Sequence, residues 1–269
     1  MTEIQRNPKR VRKKEQRRAK IEEQIRAHNA RRRKVMGINL AVLLAVTGGV
    51  GFMIFNSNKD KQPTDPKTTP TATAGGVACG GKKPKASSAP TDLPSPAFEI
   101  DKAKTYVAVM KTSCGTIEIT LDDETSPNTV NSFVSLSRKG FYDGLIFHRL
   151  VAGFALQGGD PLGTGGGGPG YKVADAPPAD FKYVKGVVAM AKAGNEPPGT
   201  SGSQFFLVPG DGASSLPAEY AVLGRVTKGD NVLAKIEAVP TEVEGGGQQG
   251  EKSSPLETVY ILKVTIRES

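Results

Sequence analysis

The sequence predicts a mainly β domain, a closed antiparallel barrel with two helices, which follows a single transmembrane helix. Three observations support this prediction. Short segments of alternating apolar and polar residues, separated by Gly- and Pro-rich stretches, recur from residue 106 to the end of the 269-residue chain. In the same region only two segments show helical spacing of apolar residues. Upstream, Val35 to Phe55 forms an apolar run of 21 residues without a charge.

The run 35–55 has the length of a membrane span, because a helix of 21 residues is ~31 Å long. Arg31 to Lys34 precede it directly, and positive flanks stay in the cytoplasm. We therefore expect a single-pass protein of the cell membrane with a cytoplasmic N-terminus and an extracytoplasmic domain. A buried core helix and a cleaved signal peptide are the alternatives. Core helices are rarely this long and uncharged, and signal peptides have shorter apolar regions that end in a small-x-small site.

Residues 1–34 form a basic cytoplasmic arm with a net charge of +10, whereas the other 235 residues together carry −1. The basicity is thus not a property of the folded domain, which argues against a nucleic-acid-binding domain, and no nucleic-acid partner is expected. The arm sets the topology and can also bind anionic lipid headgroups. Its alternatives are a solvated charged helix and a docking segment for a cytoplasmic partner.

Residues 56–97 are predicted to be a disordered linker, because they contain seven prolines, many Thr, Ser and Lys, and almost no large apolar side chains. Cys79 lies in this segment and Cys114 lies in the domain that follows, residues 98–269. Both thiols fall on the predicted outer side of the membrane, where disulfides persist. We suggest that they pair and fasten the end of the linker to the domain.

The domain begins with a predicted hairpin of Tyr106–Thr112 and Thr116–Leu121. A helix follows, with Ser126 and Pro127 as its N-cap and first turn and Gly140 after its end. A second short helix is predicted over Asp230–Ala238. The remaining strand candidates are Leu145–Val151, Val187–Met190, Phe205–Val208, Ala221–Val226 and Val259–Ile266.

Three local patterns carry a family resemblance: GLIFHRLVAGFALQGGD at residues 144–160, GTSGSQFFLV at 199–208 and LPAEYAVLGRV at 216–226. Together they resemble the cyclophilin family of peptidyl-prolyl cis/trans isomerases, over residues 105–267. The resemblance implies a closed eight-stranded antiparallel barrel capped by two α-helices. It also implies an enzyme that acts on proline-containing polypeptides and needs no metal, nucleotide or organic cofactor.

Isomerisation of an Xaa-Pro amide needs a catalyst that favours the twisted state over both planar states, because resonance sets a barrier of ~18–20 kcal/mol. A cation that donates to the proline nitrogen does this, since that nitrogen regains its lone pair as resonance is lost. Arginine suits the role because it stays charged and presents a rigid fork of donors. By resemblance, Arg149 is that residue, with Phe154 and Gln157 beside it.

The proline ring needs an apolar pocket, and by resemblance Phe154, Phe206 and Leu216 form it. Without the resemblance, Phe154 and Phe206 would be read as core residues and Arg149 as a surface ion-pair partner. The resemblance places the other substrate-binding positions at Gln204, Ala191, Lys192, Tyr220 and Ala155. The backbone of Lys192 belongs to the stretch expected to bind the peptide.

Four positions depart from well-known eukaryotic members of the family. Ala155 replaces a methionine, Lys192 replaces an asparagine, and Tyr220 stands where a histidine is common. Ser215 stands where a tryptophan contacts the drug cyclosporin, and loss of an indole removes a large apolar surface and a donor. We therefore expect weak cyclosporin binding and a shifted sequence preference, with catalysis retained.

Other functions receive less support. A hydrolase using His148 with Ser201 or Ser203 lacks a G-x-S-x-G elbow and a placed carboxylate. The Gly163–Gly170 segment resembles a phosphate cradle but lacks the Gly-Lys-Ser/Thr ending, so a flexible surface loop is expected. The main alternative is a membrane-tethered module that binds proline-containing peptides without catalysis.

Overall fold

The computed structural model describes residues 75–243 and 252–269. The basic arm, the apolar run 35–55 and residues 56–74 lie outside these ranges, so the predicted transmembrane helix stays a prediction. Within the two described ranges, no helix combines the length and apolarity that crossing a membrane requires.

The described residues form twelve strands: β1 (Tyr106–Thr112), β2 (Gly115–Leu121), β3 (Ile146–Val151), β4 (Ala155–Gly158), β5 (Val173–Ala174), β6 (Val187–Met190), β7 (Thr200–Ser201), β8 (Phe205–Leu207), β9 (Val222–Lys228), β10 (Thr241–Val243), β11 (Lys252–Pro255) and β12 (Val259–Glu268). Eight of them form a closed antiparallel barrel in the order β1-β12-β3-β4-β8-β6-β9-β2, which confirms the predicted fold class of the domain. Two further two-stranded ladders, β5 with β7 and β10 with β11, lie outside the barrel order.

Two α-helices accompany the barrel: α1 (Pro127–Arg138) and α2 (Asp230–Glu237). Ser126 occupies the N-cap position of α1, but its hydroxyl makes no capping hydrogen bond. The carboxylate of Asp175 does this instead, because it accepts the backbone N–H of Thr129 at 2.7 Å and the amide of Asn128 at 2.9 Å. The start of the helix is therefore stabilised from a distant loop.

The predicted strands agree with the observed ones to within about two residues at each end, as expected of boundaries read from a pattern. The barrel strand Ala155–Gly158 was not predicted as a strand. Its four residues do not alternate between apolar and polar side chains, because three of the four are buried and two are the small residues alanine and glycine. The four strands outside the barrel are also short and were missed for the same lack of pattern.

Alternate residues of β4, β6 and β8 belong to two separate apolar clusters. Leu156 and Leu207 point into the main core inside the barrel. Ala155, Ala189 and Phe206, one residue away, belong to a second cluster on the opposite face. Because side chains alternate between the faces of a strand, this sheet region carries an apolar patch on its outer surface.

Residues 75–97, here called the strap, lie against the barrel, so the predicted disorder of the linker is wrong for this part. Gly75 donates its N–H to Leu256 O at 3.1 Å, and Leu93 donates to Pro169 O at 2.8 Å. The side chains of Ala89 and Leu93 pack against the main core. Backbone hydrogen bonds and these small apolar contacts replace the large side chains that the segment lacks.

A disulfide joins Cys79 of the strap to Cys114, with the two Cα atoms 5.0 Å apart. Cys114 lies in the turn between β1 and β2 and is buried, whereas Cys79 is exposed. The structure thus contains the pairing that the sequence analysis suggested, and it fastens the start of the strap to the first hairpin.

Candidate active site

Three predicted site residues lie side by side on the outer face of the barrel. Arg149 of β3 pairs with Gln157 of β4, and Gln157 pairs with Phe206 of β8. Paired residues on neighbouring strands point to the same side of the sheet. A register shift between Phe147 and Arg149 marks a bulge in β3. Phe147 therefore stays in the core while Arg149 faces outwards.

Phe154 approaches Arg149 from the turn that joins β3 to β4. The guanidinium carbon of Arg149 lies 5.8 Å from the centroid of the Phe154 ring, in the range of a cation–π contact. Gly153 adopts a positive φ of 71° in this turn, and its N–H donates to Glu237 of α2 at 2.6 Å. Helix α2 thus holds the turn that presents Phe154.

An aromatic group forms the floor of the outer patch. The rings of Phe206 and Tyr220 meet edge to face with centroids 5.5 Å apart, and Tyr183 lies 6.3 Å from Phe206. The Tyr183 hydroxyl donates to Tyr220 O at 2.7 Å and accepts from Tyr220 N at 2.8 Å. Burial raises the pKa of Tyr183 to about 12. Tyr183 was not predicted, and no local motif marks it.

The other predicted apolar positions join the same patch. Ala155 is buried in it, and Leu216 and Ala191 are half-buried at its margin. With Phe154, Phe206 and Tyr220, these residues give a preformed apolar surface beside the Arg149 cation.

The polar edge of the site is built around Gln204. Its Oε1 accepts a hydrogen bond from Gln157 Nε2 at 3.1 Å, and its own Nε2 donates to the carbonyls of Gly165 and Gly167 at 2.9 Å each. The N–H of Ala191 donates to the Gln204 carbonyl at 2.9 Å. That N–H is therefore already used, so a bound peptide would need other backbone groups of this stretch.

A polar cleft of about 290 Å³ adjoins the two glutamines. Lys192 lines this cleft, and its ammonium lies 3.2 Å from Glu219 and 5.7 Å from the Tyr220 ring centroid, with only 3% of the side chain exposed. Because the ammonium is engaged in this way, the Lys192 side chain stabilises the wall of the cleft. At the mouth, Lys172 and Glu196 form an ion pair at 3.1 Å.

The Gly163–Gly170 segment is more organised than the predicted flexible loop. The buried carboxylate of Asp160 accepts the N–H groups of Leu162, Thr164 and Gly165 at 2.6–2.9 Å. Asp160 was not identified from the sequence, although an aspartate followed by a proline, three residues before a Gly-rich stretch, is a recognisable turn signal. Its hydrogen bonds aim the loop carbonyls at Gln204.

The serines considered for a hydrolase have structural partners. Ser203 Oγ donates to Gly159 O at 2.8 Å, and Ser201 Oγ lies 3.1 Å from Thr129 Oγ1. Both serines are buried, and their hydroxyls are engaged in these contacts. Across residues 75–243 and 252–269, no group of three or more His, Cys, Asp or Glu side chains is placed to hold a metal ion.

Comparison with known proteins identifies the family. Residues 107–266 match the family model "Cyclophilin type peptidyl-prolyl cis-trans isomerase/CLD", which covers more than half of the chain. The chain belongs to the cyclophilin-type peptidyl-prolyl cis-trans isomerases. Its enzymatic class is therefore isomerase, as the resemblance implied, and the closed barrel described above is that of a cyclophilin-type domain.

Relatives of this isomerase come from several bacteria. A peptidyl-prolyl cis-trans isomerase of Helicobacter pylori strain 26695 is 43% identical over 141 residues, 51% of this chain and 84% of the relative. A probable peptidyl-prolyl cis-trans isomerase B of Mycobacterium tuberculosis strain H37Rv is 35% identical over 216 residues, 74% of this chain and 68% of the relative. The latter alignment extends well beyond the length of the cyclophilin domain.

A solved structure has the same fold. The cyclophilin-type isomerase of Cryptosporidium parvum, crystallised in the presence of the dipeptide Ala-Pro, is 30% identical with a TM-score of 0.53. The match covers 60% of this chain and 98% of that one. Almost the whole of the parasite enzyme thus corresponds to the domain of the present chain.

Proposed function

We propose that this isomerase acts on Xaa-Pro bonds of exported or cell-envelope proteins, that it assists their folding, and that Arg149 is its catalytic cation. The observation that carries the proposal is the row of Arg149, Gln157 and Phe206 on three neighbouring strands. It sets a permanent positive charge directly beside a preformed apolar surface. A proline ring on that surface brings its amide nitrogen towards the guanidinium.

The proposed chemistry needs no covalent intermediate. As the Xaa-Pro amide twists, resonance is lost and the proline nitrogen regains its lone pair. Arg149 donates to that lone pair and so stabilises the twisted state more than either planar state. Phe154, Phe206 and Leu216 hold the ring, while Gln157 and Gln204 bind the substrate backbone. The Ala-Pro dipeptide used with the C. parvum relative supports a proline-containing ligand.

The proposed location follows from the sequence. The basic residues 31–34 and the uncharged run 35–55 support an anchor in the cell membrane with the N-terminus in the cytoplasm. The disulfide between Cys79 and Cys114 supports an oxidising compartment for the domain. The linker part 56–74 would then separate the domain from the membrane surface.

Catalysis is tested by cis/trans exchange of an Xaa-Pro peptide, followed by NMR, with the full chain and with Arg149→Ala. We expect fast exchange for the unchanged protein and a drop of about 10²-fold in kcat/KM for the variant, with peptide affinity nearly unchanged. Arg149→Lys retains the positive charge but lacks the planar set of guanidinium donors, so its rate should lie between those of Arg149→Ala and the unchanged protein. Binding without acceleration would instead support the peptide-binding module.

Location is tested separately by protease treatment of intact cells. A domain outside the cytoplasm is digested while residues 1–34 stay protected, and the chain fractionates with membranes. Cleavage only after lysis would contradict the extracytoplasmic domain, and a soluble chain would contradict the anchor. Neither outcome would affect the catalytic proposal.

A further inference from the structure

Peptide binding at the polar edge depends on where the Gln204 amide points. Its Nε2 has two carbonyl partners in the Gly163–Gly170 loop, Gly165 and Gly167, and this leaves Oε1 facing Gln157. The loop carbonyls therefore set the orientation of the amide. Any contact that fixes this loop also fixes Gln204.

The strap supplies such a contact on the other side of the loop. Leu93 N–H donates to Pro169 O at 2.8 Å, and the Leu93 side chain is anchored on the main core. Gly170 has a positive φ of 98°, and a Cβ there would lie 2.7 Å from the Cα of Asp92. The strap and the loop are thus in direct backbone contact, with no room for an added methyl group.

A second connection runs through Pro169 itself. Pro169 is buried, and its ring carbon lies 3.5 Å from the place a Cβ would occupy on Gly202. Gly202 is two residues before Gln204 in the same segment. Pro169 therefore contacts the strap on one side and, on the other, the segment that leads to Gln204.

We propose that Leu93 of the strap is a positioning residue for substrate binding, because it holds the Gly163–Gly170 loop in the conformation that orients Gln204. This inference rests on the proposed roles of Gln157 and Gln204 in binding the peptide. It assigns a function in the isomerase to a segment before the cyclophilin-type region, which begins at residue 107. The strap completes the substrate-binding edge of the barrel.

The test compares Leu93→Ala and Gly170→Ala with the matched control Gly168→Ala in the full chain. Gly168 has nothing within 4 Å of its would-be Cβ, so the control changes the same residue type in the same loop without touching the strap. We expect KM for an Xaa-Pro peptide to rise about fivefold in the first two variants, a loss equivalent to about one hydrogen bond. Leu93→Ala keeps the backbone N–H but removes the side chain that anchors the strap, and Gly170→Ala pushes the loop away from Asp92. The value of kcat should change less than about twofold, because Arg149 and Phe206 are not disturbed.

A direct readout separates positioning from general destabilisation. The side-chain amide signals of Gln204 should shift in Leu93→Ala and Gly170→Ala, return in Leu93→Met, and stay in place in Gly168→Ala. A change of similar size in Gly168→Ala, or unchanged KM and Gln204 signals in both strap-side variants, would overturn the proposal.

A measurement without mutations covers the case that a variant does not fold. Coupling between two sites is reciprocal, so a saturating Xaa-Pro peptide should shift the Leu93 amide signal of the unchanged chain and slow its hydrogen exchange. An unaffected Leu93 amide would disprove the coupling. The peptide could also bind and shift the Leu93 amide signal without any acceleration of its cis/trans isomerisation. That result would contradict the catalytic proposal and leave the positioning role supported.

Discussion

Gln157 donates a hydrogen bond of 3.1 Å to Oε1 of Gln204, and through the Gln204 amide this contact connects β4 with the Gly163–Gly170 loop. The amide of Gln204 cannot rotate by 180° without losing two donor bonds to the loop carbonyls. The two glutamines therefore act as one unit, and the orientation of each depends on the other.

Replacing Gln204 by Glu tests this unit. A carboxylate can still accept from Gln157, but it cannot donate to Gly165 and Gly167, and it places a negative charge against both carbonyls. We expect stability to fall by about 1–2 kcal/mol and peptide affinity to fall with it. Urea unfolding and a peptide titration measure the two effects. Gln204→Asn keeps the neutral amide and is the control; equal behaviour of the two variants would contradict the argument.

Phe205 and Phe206 are neighbours in β8 with opposite roles. Phe205 is fully buried and meets Tyr142 and Phe147 edge to face inside the barrel, whereas Phe206 belongs to the outer patch. Phe205→Leu should cost roughly 1–2 kcal/mol of stability and leave kcat/KM of the folded protein unchanged. Phe206→Leu should lower kcat/KM by about tenfold at a smaller cost in stability. A loss of kcat/KM in Phe205→Leu but not in Phe206→Leu would show that the proline pocket lies elsewhere.

The disulfide should contribute to stability through the unfolded chain. Cys79 and Cys114 are 35 residues apart, and a loop of that size is worth roughly 3–4 kcal/mol in the chain-entropy account. A dithiol reductant should therefore lower the urea midpoint of the unchanged protein. The double variant Cys79→Ala with Cys114→Ala should have the lower midpoint from the start and not respond to the reductant. Equal midpoints with and without reductant would refute this.

Tyr183 should make the domain sensitive to alkaline pH. Burial raises its pKa to about 12, from an ordinary value near 10, so the folded state favours the protonated phenol. This stabilisation is fully present below pH about 10 and is lost as the pH rises towards 12, since only the unfolded chain releases the proton easily. Unfolding free energy measured over that range should fall more steeply than in Tyr183→Phe. Parallel curves for the two proteins would exclude Tyr183 as the cause.

Cyclosporin should bind weakly. Ser215 is exposed at the end of the short 3₁₀ turn Gly212–Ser215, directly before Leu216 of the apolar patch, and offers no indole to the drug. We expect a Kd of about micromolar or weaker, and a gain of at least about tenfold in Ser215→Trp. Fluorescence titration measures both. Nanomolar binding by the unchanged protein would show that the tryptophan position is dispensable here.

The parts of the fold that sequence predicted share one property: their pattern is local. Alternation marked the first hairpin, and Pro127 with apolar helical spacing marked α1. The strand Ala155–Gly158 has no such pattern, and the cap of α1 comes from Asp175, 46 residues from Thr129. Residues that contact each other only because the barrel closes are far apart in sequence, so a short sequence pattern cannot reveal the contact.

The residues of the candidate site also fall into those that local motifs predict and those that only long-range packing brings together. The motifs identified Arg149, Phe154, Gln157 and Phe206, because these residues fall within two short segments that resemble the family. They did not identify Tyr183 or the contact between Lys192 and Glu219, which depend on packing between distant loops. The strap was misjudged because its contacts are mostly backbone hydrogen bonds, to which composition is insensitive.

The attachment of Cys79 to the first hairpin also determines how the domain bears mechanical load. A force applied at Gly75 reaches the barrel within five residues, through the backbone bonds to Leu256 and Thr258 and then through the covalent link to Cys114. The pulling force is thereby transmitted to β1 and β2, and the remainder of the strap, from Gly80 to Ala97, does not carry it. Leu93 and the loop behind Gln204 can thus keep their places while the chain in front of them is stretched.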